Sequence, residues 1–127
     1  MGYDSRIYIV EKRQGGVDHY GDGKIYSRVI AMFDVCKFNP LSDALRNKSK
    51  TNCYFFADDG DTRITEDRYG EPLNEASVAE TIAILEKIVE KGENYRRIFP
   101  LLATLNTIDE QLKNGIWQDV VVLHYGY

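Results

Sequence analysis

The chain contains few cysteines, histidines and prolines, and each scarcity excludes a class of protein. Among its 127 residues are two cysteines, two histidines and three prolines. Two cysteines without an apolar leader segment predict reduced thiols in a cytoplasm rather than a disulfide framework. Three prolines and the absence of a low-complexity tract argue against disorder. No apolar run approaches the ~20 residues that a membrane-crossing helix needs, so the sequence predicts a protein without a membrane span.

Sequence motifs for catalysis and phosphate binding are also missing. The glycines at positions 15–16 and 21–23 lie in neither a GxxxxGK[ST] nor a GxGxxG frame. His19 stands between Asp18 and Asp22 in a pattern compatible with acid–base catalysis, but no nucleophile stands in a recognisable context. A polar hairpin loop explains these residues equally well. We therefore predict a protein that is not an enzyme and needs no cofactor, with a small metal- or histidine-dependent enzyme as the alternative.

Four side chains are candidate soft metal ligands, but their spacing does not favour a site. The four are Cys36, Cys53, His19 and His124. A tetrahedral Cys₂His₂ zinc site would require four separate elements to converge, because no two of these residues are close in sequence. Cysteines in such positions are more often small core residues. The carboxylates around Gly60 are spaced too tightly for a calcium-binding EF-hand loop, so the sequence predicts no bound metal.

The composition fits one ordinary globular domain. The length is close to the most common domain size, and a chain of this length buries roughly two thirds of its unfolded surface. Hydrophobic residues make up 43% of the chain and charged residues 28%, which is typical of soluble globular proteins. Neither an internal repeat nor a domain boundary is evident, so residues 1–127 are predicted to form a single domain.

Alternation of apolar and polar residues predicts five strands. They cover residues 3–12, 25–37, 53–57, 62–66 and 120–125. The first two should form a long hairpin across the glycine-containing segment between them. The Asp59-Gly60 pair between two β-prone runs predicts a second hairpin with a type I′ turn. The last strand is apolar on both faces, which predicts a central strand covered by helices, and residues 68–74 read as a linker.

Helical periodicity predicts one short and two main helices. Asn39-Pro40 indicates an N-cap followed by proline at the first helical position. Ser77 has capping-box spacing and should begin the second helix. The third helix should span residues 94–114, and it should either start near Phe99 or be kinked at Pro100.

The predicted order of elements is β-β-α-β-β-α-α-β. Hairpins dominate and helices cluster late, so the fold class should be α+β with a mainly antiparallel five-stranded sheet. The two main helices should pack on one face of this sheet. The side chains expected at that contact are Ile82, Leu85, Leu101, Leu105 and Ile108.

Charge is distributed unevenly along the chain. Residues 58–93 hold eleven acidic residues against four basic ones, whereas the first fifty residues hold nine basic against six acidic ones. Such asymmetry usually concerns partners rather than the fold. The acidic segment could imitate the phosphates of nucleic acid, since duplex DNA carries one charge per ~1.7 Å. A plain turn followed by a solvated helix face also explains it.

Tyrosine is abundant, with nine residues, and tyrosine is enriched at recognition surfaces. Tyr54 and Tyr69 belong to or border the acidic hairpin and are candidate aromatic anchors. The basic runs are too short to predict direct binding of nucleic acid. The predicted partner-binding residues are Tyr54, Asp58, Asp59, Asp61, Glu66, Asp67, Tyr69 and Glu71.

Four segments carry a resemblance to a known group of proteins. They read MGYDSRIYIVEK, VIAMFDVCKF, ITEDRYGEPL and VVVLHYGY. Together they resemble small uncharacterised proteins of phages and prophages of Gram-positive bacteria. The resemblance transfers no catalytic residue. It implies a class of function, because small phage proteins of this kind often bind and inhibit a host machine, including CRISPR nucleases.

The leading hypothesis is a cytoplasmic, non-enzymatic protein that inhibits a host nucleic-acid enzyme, as an anti-CRISPR protein does. The acidic hairpin and the helix after it would bind a basic groove on that enzyme, and electrostatic steering would speed association. A third possibility beside the inhibitor and the small enzyme is a self-associating phage structural or assembly protein.

Overall fold

The computed structural model describes residues 4–13 and 20–127, which form six strands and three helices. The strands are β1 Ser5–Lys12, β2 Ile25–Cys36, β3 Cys53–Phe56, β4 Arg63–Ile64, β5 Asn74–Ser77 and β6 Val120–Gly126. The helices are α1 Asn39–Arg46, α2 Val78–Glu90 and α3 Ile98–Lys113. The α+β class is confirmed. The predicted strand residue Tyr3 and the glycines at 15–16 lie outside the described residues.

The six strands form one sheet in the order β4-β3-β2-β1-β6-β5. Neighbours are antiparallel except β2 and β3, which run parallel through the pairs Ile25–Cys53 and Tyr26–Tyr54. The prediction of a five-stranded sheet is therefore wrong, because Asn74–Ser77, where no strand was predicted, form strand β5. This strand is short and polar, and its pairing with β6, in which Ala76 faces Val122, makes it a strand.

The sheet curls until its two halves approach each other. Lys50, which precedes β3, forms a β-bridge with Asn74 of β5. Beside it, the Thr51 N–H donates to the Leu73 carbonyl at 2.8 Å. The curl encloses an inner core whose buried members are Val10, Cys53, Phe55, Leu73, Val121 and Leu123.

The helices cover the opposite face of the sheet and form the outer core. Ile7 and Ile9 of β1 are fully buried beneath them. All five side chains predicted at the helix contact are buried in this cluster, so the predicted helix faces are confirmed. α1 adds Leu41 and Leu45 to the same core. No helix in the described ranges combines the length and the apolar character that crossing a bilayer requires.

The starts of the three helices agree only in part with the capping residues predicted from the sequence. Ser77 caps α2 as predicted, since its Oγ accepts from the Glu80 N–H at 3.0 Å and its own N–H donates to the Glu80 carboxylate at 3.1 Å. α3 begins at Ile98, so Pro100 lies in the first turn, where its missing N–H breaks no helical bond. The N-cap of α1 is Phe38 rather than Asn39. Phe38 stacks on Tyr95 with ring centroids 4.8 Å apart.

Candidate functional site

The first acidic loop, residues 57–62, connects β3 to β4. The Ala57 N–H donates to the Thr62 carbonyl at 2.9 Å, and the Gly60 N–H donates to the Ala57 carbonyl at 2.9 Å. Gly60 has a positive φ of 74°, but Asp59 does not. A type I′ turn requires positive φ at both central residues, so the predicted turn type is wrong and the loop is wider.

Asp59 holds this loop together. Its Oδ1 accepts from the N–H groups of Asp61 and Thr62, both at 2.8 Å, and its Oδ2 accepts from the Thr62 hydroxyl at 2.5 Å. The Thr62 side chain, followed by the two N–H groups, lowers the pKa of Asp59. Asp58 and Asp61 are exposed beside it. Three predicted binding residues thus divide into one that braces the loop and two that face solvent.

The second acidic loop, residues 66–72, crosses toward β5 and is closed by a β-bridge between Glu66 and Pro72. Asp67 organises it, because its Oδ1 accepts from the N–H groups of Tyr69 at 2.9 Å and Glu71 at 3.1 Å. The Arg68 N–H anchors the loop to β6 by donating to the Gly126 carbonyl at 3.0 Å. The Tyr69 side chain projects from the loop and is 54% exposed.

Tyr54 lies in β3, away from the second acidic loop, and is only 5% exposed. The Arg63 guanidinium stacks on both the Tyr20 and Tyr54 rings, 3.9 and 4.1 Å from their centroids. Arg63 also forms an ion pair with Asp22 at 2.8 Å. Tyr54 and Phe56 share one face of β3 as predicted, with ring centroids 5.8 Å apart. The role of Tyr54 as an aromatic anchor stays a prediction, and its ring is largely covered in this structure.

A cleft of about 710 Å³ opens between α1 and the second acidic loop. It is lined by Asp43, Arg46, Asn47, Lys50, Asp67, Tyr69, Glu71, Asn74 and His124. Three predicted binding residues, Asp67, Tyr69 and Glu71, thus meet at one site. Asp58, Asp59 and Asp61 are not part of its lining, so the structure separates the two acidic loops into a solvent-facing turn and one wall of a cleft.

His124 lies at the floor of this cleft and is 3% exposed. Its Nε2 is 2.8 Å from the Ser5 Oγ, and which atom donates depends on the tautomer. Burial, and then the positive charge of Arg46, lowers the pKa of His124 to about 4, with Lys50 acting in the same direction and Asp67 opposing. The imidazole is therefore neutral at pH 7 and adds no positive charge to the cleft.

The candidate metal ligands do not form a cluster among the residues that the structure describes, where no group of three or more potential ligands is suited to holding a metal ion. Cys53 is fully buried in the inner core. Cys36 is half-buried, and burial followed by hydrogen bonding to Asp34 raises the pKa of its thiol. His19 and Asp18 lie outside the described ranges.

The sequence did not identify the basic wall of the cleft. In the sequence, Arg46 and Lys50 belong to a basic run too short to predict a site, and His124 belongs only to the candidate metal ligands. The run of Arg46, Lys48 and Lys50 after a helix was the available signal, but nothing in the sequence indicates that it faces a loop some twenty positions later.

No family model, curated protein or solved structure matches this chain.

Proposed function

We propose that the protein is a binding protein without catalytic activity that acts on a basic surface of a partner. The observation that carries the proposal is the exposure of carboxylates on two loops that are braced from within. Asp58, Asp61, Glu66 and Glu71 are exposed. Because Asp59 and Asp67 already order the two loops, less conformational entropy is lost when a partner binds.

Both acidic loops lie at the same end of the curled sheet. The first loop follows β3, and the Phe55 ring of that strand lies 4.5 Å from the Tyr8 ring. Tyr8 packs edge-on against Tyr125 at 6.0 Å. The residue after Tyr125, Gly126, accepts the hydrogen bond that anchors the second loop. One partner surface could therefore contact both loops.

The partner we propose is a host nucleic-acid enzyme, inhibited in the manner of an anti-CRISPR protein within the host cytoplasm. The groove of such an enzyme is basic because it holds phosphates, and it therefore attracts an exposed set of carboxylates. The resemblance of the sequence to small phage proteins supports this choice of partner. Tyr69 would act as the aromatic anchor, since exposed tyrosines supply large contact area at low entropic cost.

The test combines affinity capture from a lysate of a Gram-positive host with kinetic measurements on the captured protein. The variant Asp58→Lys/Asp61→Lys should associate more slowly than the wild type, and the difference should shrink as salt rises. Asp59 is left unchanged because it braces the loop. Tyr69→Ala should instead raise the dissociation rate.

The matched control is Glu86→Lys/Glu90→Lys, which makes the same change of charge at two exposed positions of α2. It should leave association closer to the wild-type rate than the loop variant does. Equal effects of the two double variants would mean that only net charge matters, and they would contradict a role for the acidic loops.

A further inference from the structure

The lining of the cleft between α1 and the second acidic loop carries charges of both signs. Arg46, at the end of α1, supplies one cation, and Lys50 supplies a second, whose Nζ donates to the Pro72 carbonyl at 3.4 Å. The second acidic loop supplies the carboxylates of Asp67 and Glu71. Asp43 adds a third carboxylate on the helix. A surface that serves only to attract a basic partner does not require the two cations, so this arrangement is distinct from the exposed first loop.

The two walls are fixed independently, so the cleft is preformed. The Asn74 side-chain amide donates to the carbonyls of Lys48 at 2.8 Å and Arg46 at 3.3 Å, which holds the end of α1 against β5. The opposite wall is held by the hydrogen bond from the Arg68 N–H to the Gly126 carbonyl. Preformed concave sites with a few fixed polar groups are the usual form of small-molecule sites.

Charged groups of the cleft lining shift the pKa of one residue, His124, at the floor of the cleft. Burial is the main cause that lowers the pKa of His124, but Arg46 and Lys50 lower it further while Asp67 raises it. The two cations and the carboxylate therefore all act on this one imidazole ring. Because this ring is neutral at pH 7, it repels neither end of a ligand.

A ligand with charge of only one sign would be repelled by the lining groups of the same sign. A dication would be repelled by Arg46 and Lys50, and a dianion would be repelled by Asp67 and Glu71. A ligand that carries one charge of each sign can form charge-assisted hydrogen bonds to both walls at once. The volume of about 710 Å³ leaves room for more than a single amino acid.

We propose that the cleft binds a small zwitterion, an amino acid or a short peptide. The carboxylate of the ligand binds Arg46 and Lys50, and its ammonium group binds Asp67 and Glu71. The exposed ring of Tyr69, at the rim, covers the ligand and can contact the ammonium group through its face. This site shares Tyr69 and Glu71 with the proposed partner surface, whereas Asp58 and Asp61 do not line it.

The test uses three probes with four carbon atoms each and different charged ends, namely 4-aminobutanoate, 1,4-diaminobutane and butanedioate, together with the larger zwitterion glycylglycine. Binding is followed at low salt through amide chemical shifts of the whole protein. At least one of the two zwitterions should saturate, with shifts at Tyr69, Glu71 and His124, and should bind more tightly than the diamine and the diacid. Tighter binding of the diamine or the diacid, or no saturation by either zwitterion, overturns the proposal.

Variants of each wall separate recognition from folding. Arg46→Gln and Glu71→Gln should each weaken binding of the zwitterion about tenfold. This is the loss expected for one charge-assisted hydrogen bond of roughly 1.5 kcal/mol. Glu86→Gln, on the exposed face of α2, is the matched control and should have no effect. Glu71→Lys should change the preferred probe from a zwitterion to butanedioate, a change that a purely structural role of Glu71 would not produce. If the folded variant still prefers a zwitterion, the proposal is overturned.

The two proposals can fail separately. Asp58→Lys/Asp61→Lys should leave binding of the zwitterion unchanged, because neither residue lines the cleft. Loss of the zwitterion site in that variant would overturn the assignment of the ligand to the cleft, whatever the result of the capture experiment.

Discussion

His124 should make the stability of the fold depend on pH between neutrality and about pH 4. In the folded protein its pKa is lowered from 6.5 to about 4, first by burial and then by Arg46. In the unfolded chain it should titrate near its ordinary value. Between these two values the unfolded chain takes up a proton that the folded protein resists. The stabilisation is therefore complete above pH 6.5, declines as the pH falls and is lost near pH 4.

The expected magnitude follows from the separation of the two pKa values. A change from 6.5 to about 4 corresponds to about 3 kcal/mol, since one pKa unit is about 1.4 kcal/mol. More than half of this stabilisation should be lost as the pH falls from 7 to 5, a loss of about 2 kcal/mol. Carboxylates change the free energy of unfolding at lower pH. The ion pair with Lys48, followed by the Ser77 N–H, lowers the pKa of Glu80 to about 2, so its contribution is lost only below its unfolded pKa of about 4.5.

The assay is urea unfolding of the wild type and of His124→Gln at pH 7, 6 and 5. The wild type should lose about 2 kcal/mol over this range and the variant much less. The readout is the change with pH, so a lower absolute stability of the variant does not affect it, and His19 is present in both proteins. An NMR titration of the His124 ring provides an independent measurement. A midpoint near 6.5, or equal losses in the two proteins, would refute the reasoning.

Two further predictions concern the core and the metal. Leu105→Ala should destabilise the protein by about 2–5 kcal/mol, because Leu105 is fully buried in the outer core; a loss below about half a kcal/mol in denaturant unfolding would show that α3 packs through another face. Purified protein should contain less than one zinc per chain, and a chelator should leave its Tm unchanged, because a structural zinc supplies much of the folding free energy; elemental analysis that finds one zinc per chain would restore Cys36, Cys53, His19 and His124 as ligands.

The sequence predicted those parts of the fold that depend on local pattern. The long β1–β2 hairpin follows from alternation, and the start of α2 follows from the hydrogen bonds that Ser77 and Glu80 can form. Strand β5 was missed because Asn74 and Glu75 have no strand preference and become extended only by pairing with His124 and Leu123 of β6. β2 and β3 pair in parallel because the chain crosses from one to the other through α1.

The candidate site was predicted only in part, because it too depends on contacts between segments that are distant in the sequence. Counting charges identified the acidic loops, but it could not distinguish Asp59 and Asp67, which brace their own loops, from the exposed Asp58. Burial of Tyr54 depends on Tyr20 and Arg63, which come from other segments. The cleft itself forms only when α1, β5 and β6 come together, so a linear sequence carries no periodic signal for it.

The position of β1 in the sheet has a consequence for how the protein folds. β1 lies between β2 and β6, and the contact between Ser5 and His124 spans 119 positions of sequence. Strand β6 supplies buried side chains to both cores, Val122 to the outer and Leu123 to the inner. Neither core can close before β6 docks, and such long-range pairing makes folding slow. During synthesis, β1 and β5 therefore expose unpaired edges until β6 has left the ribosome, and the unfinished chain is open to aggregation during that interval.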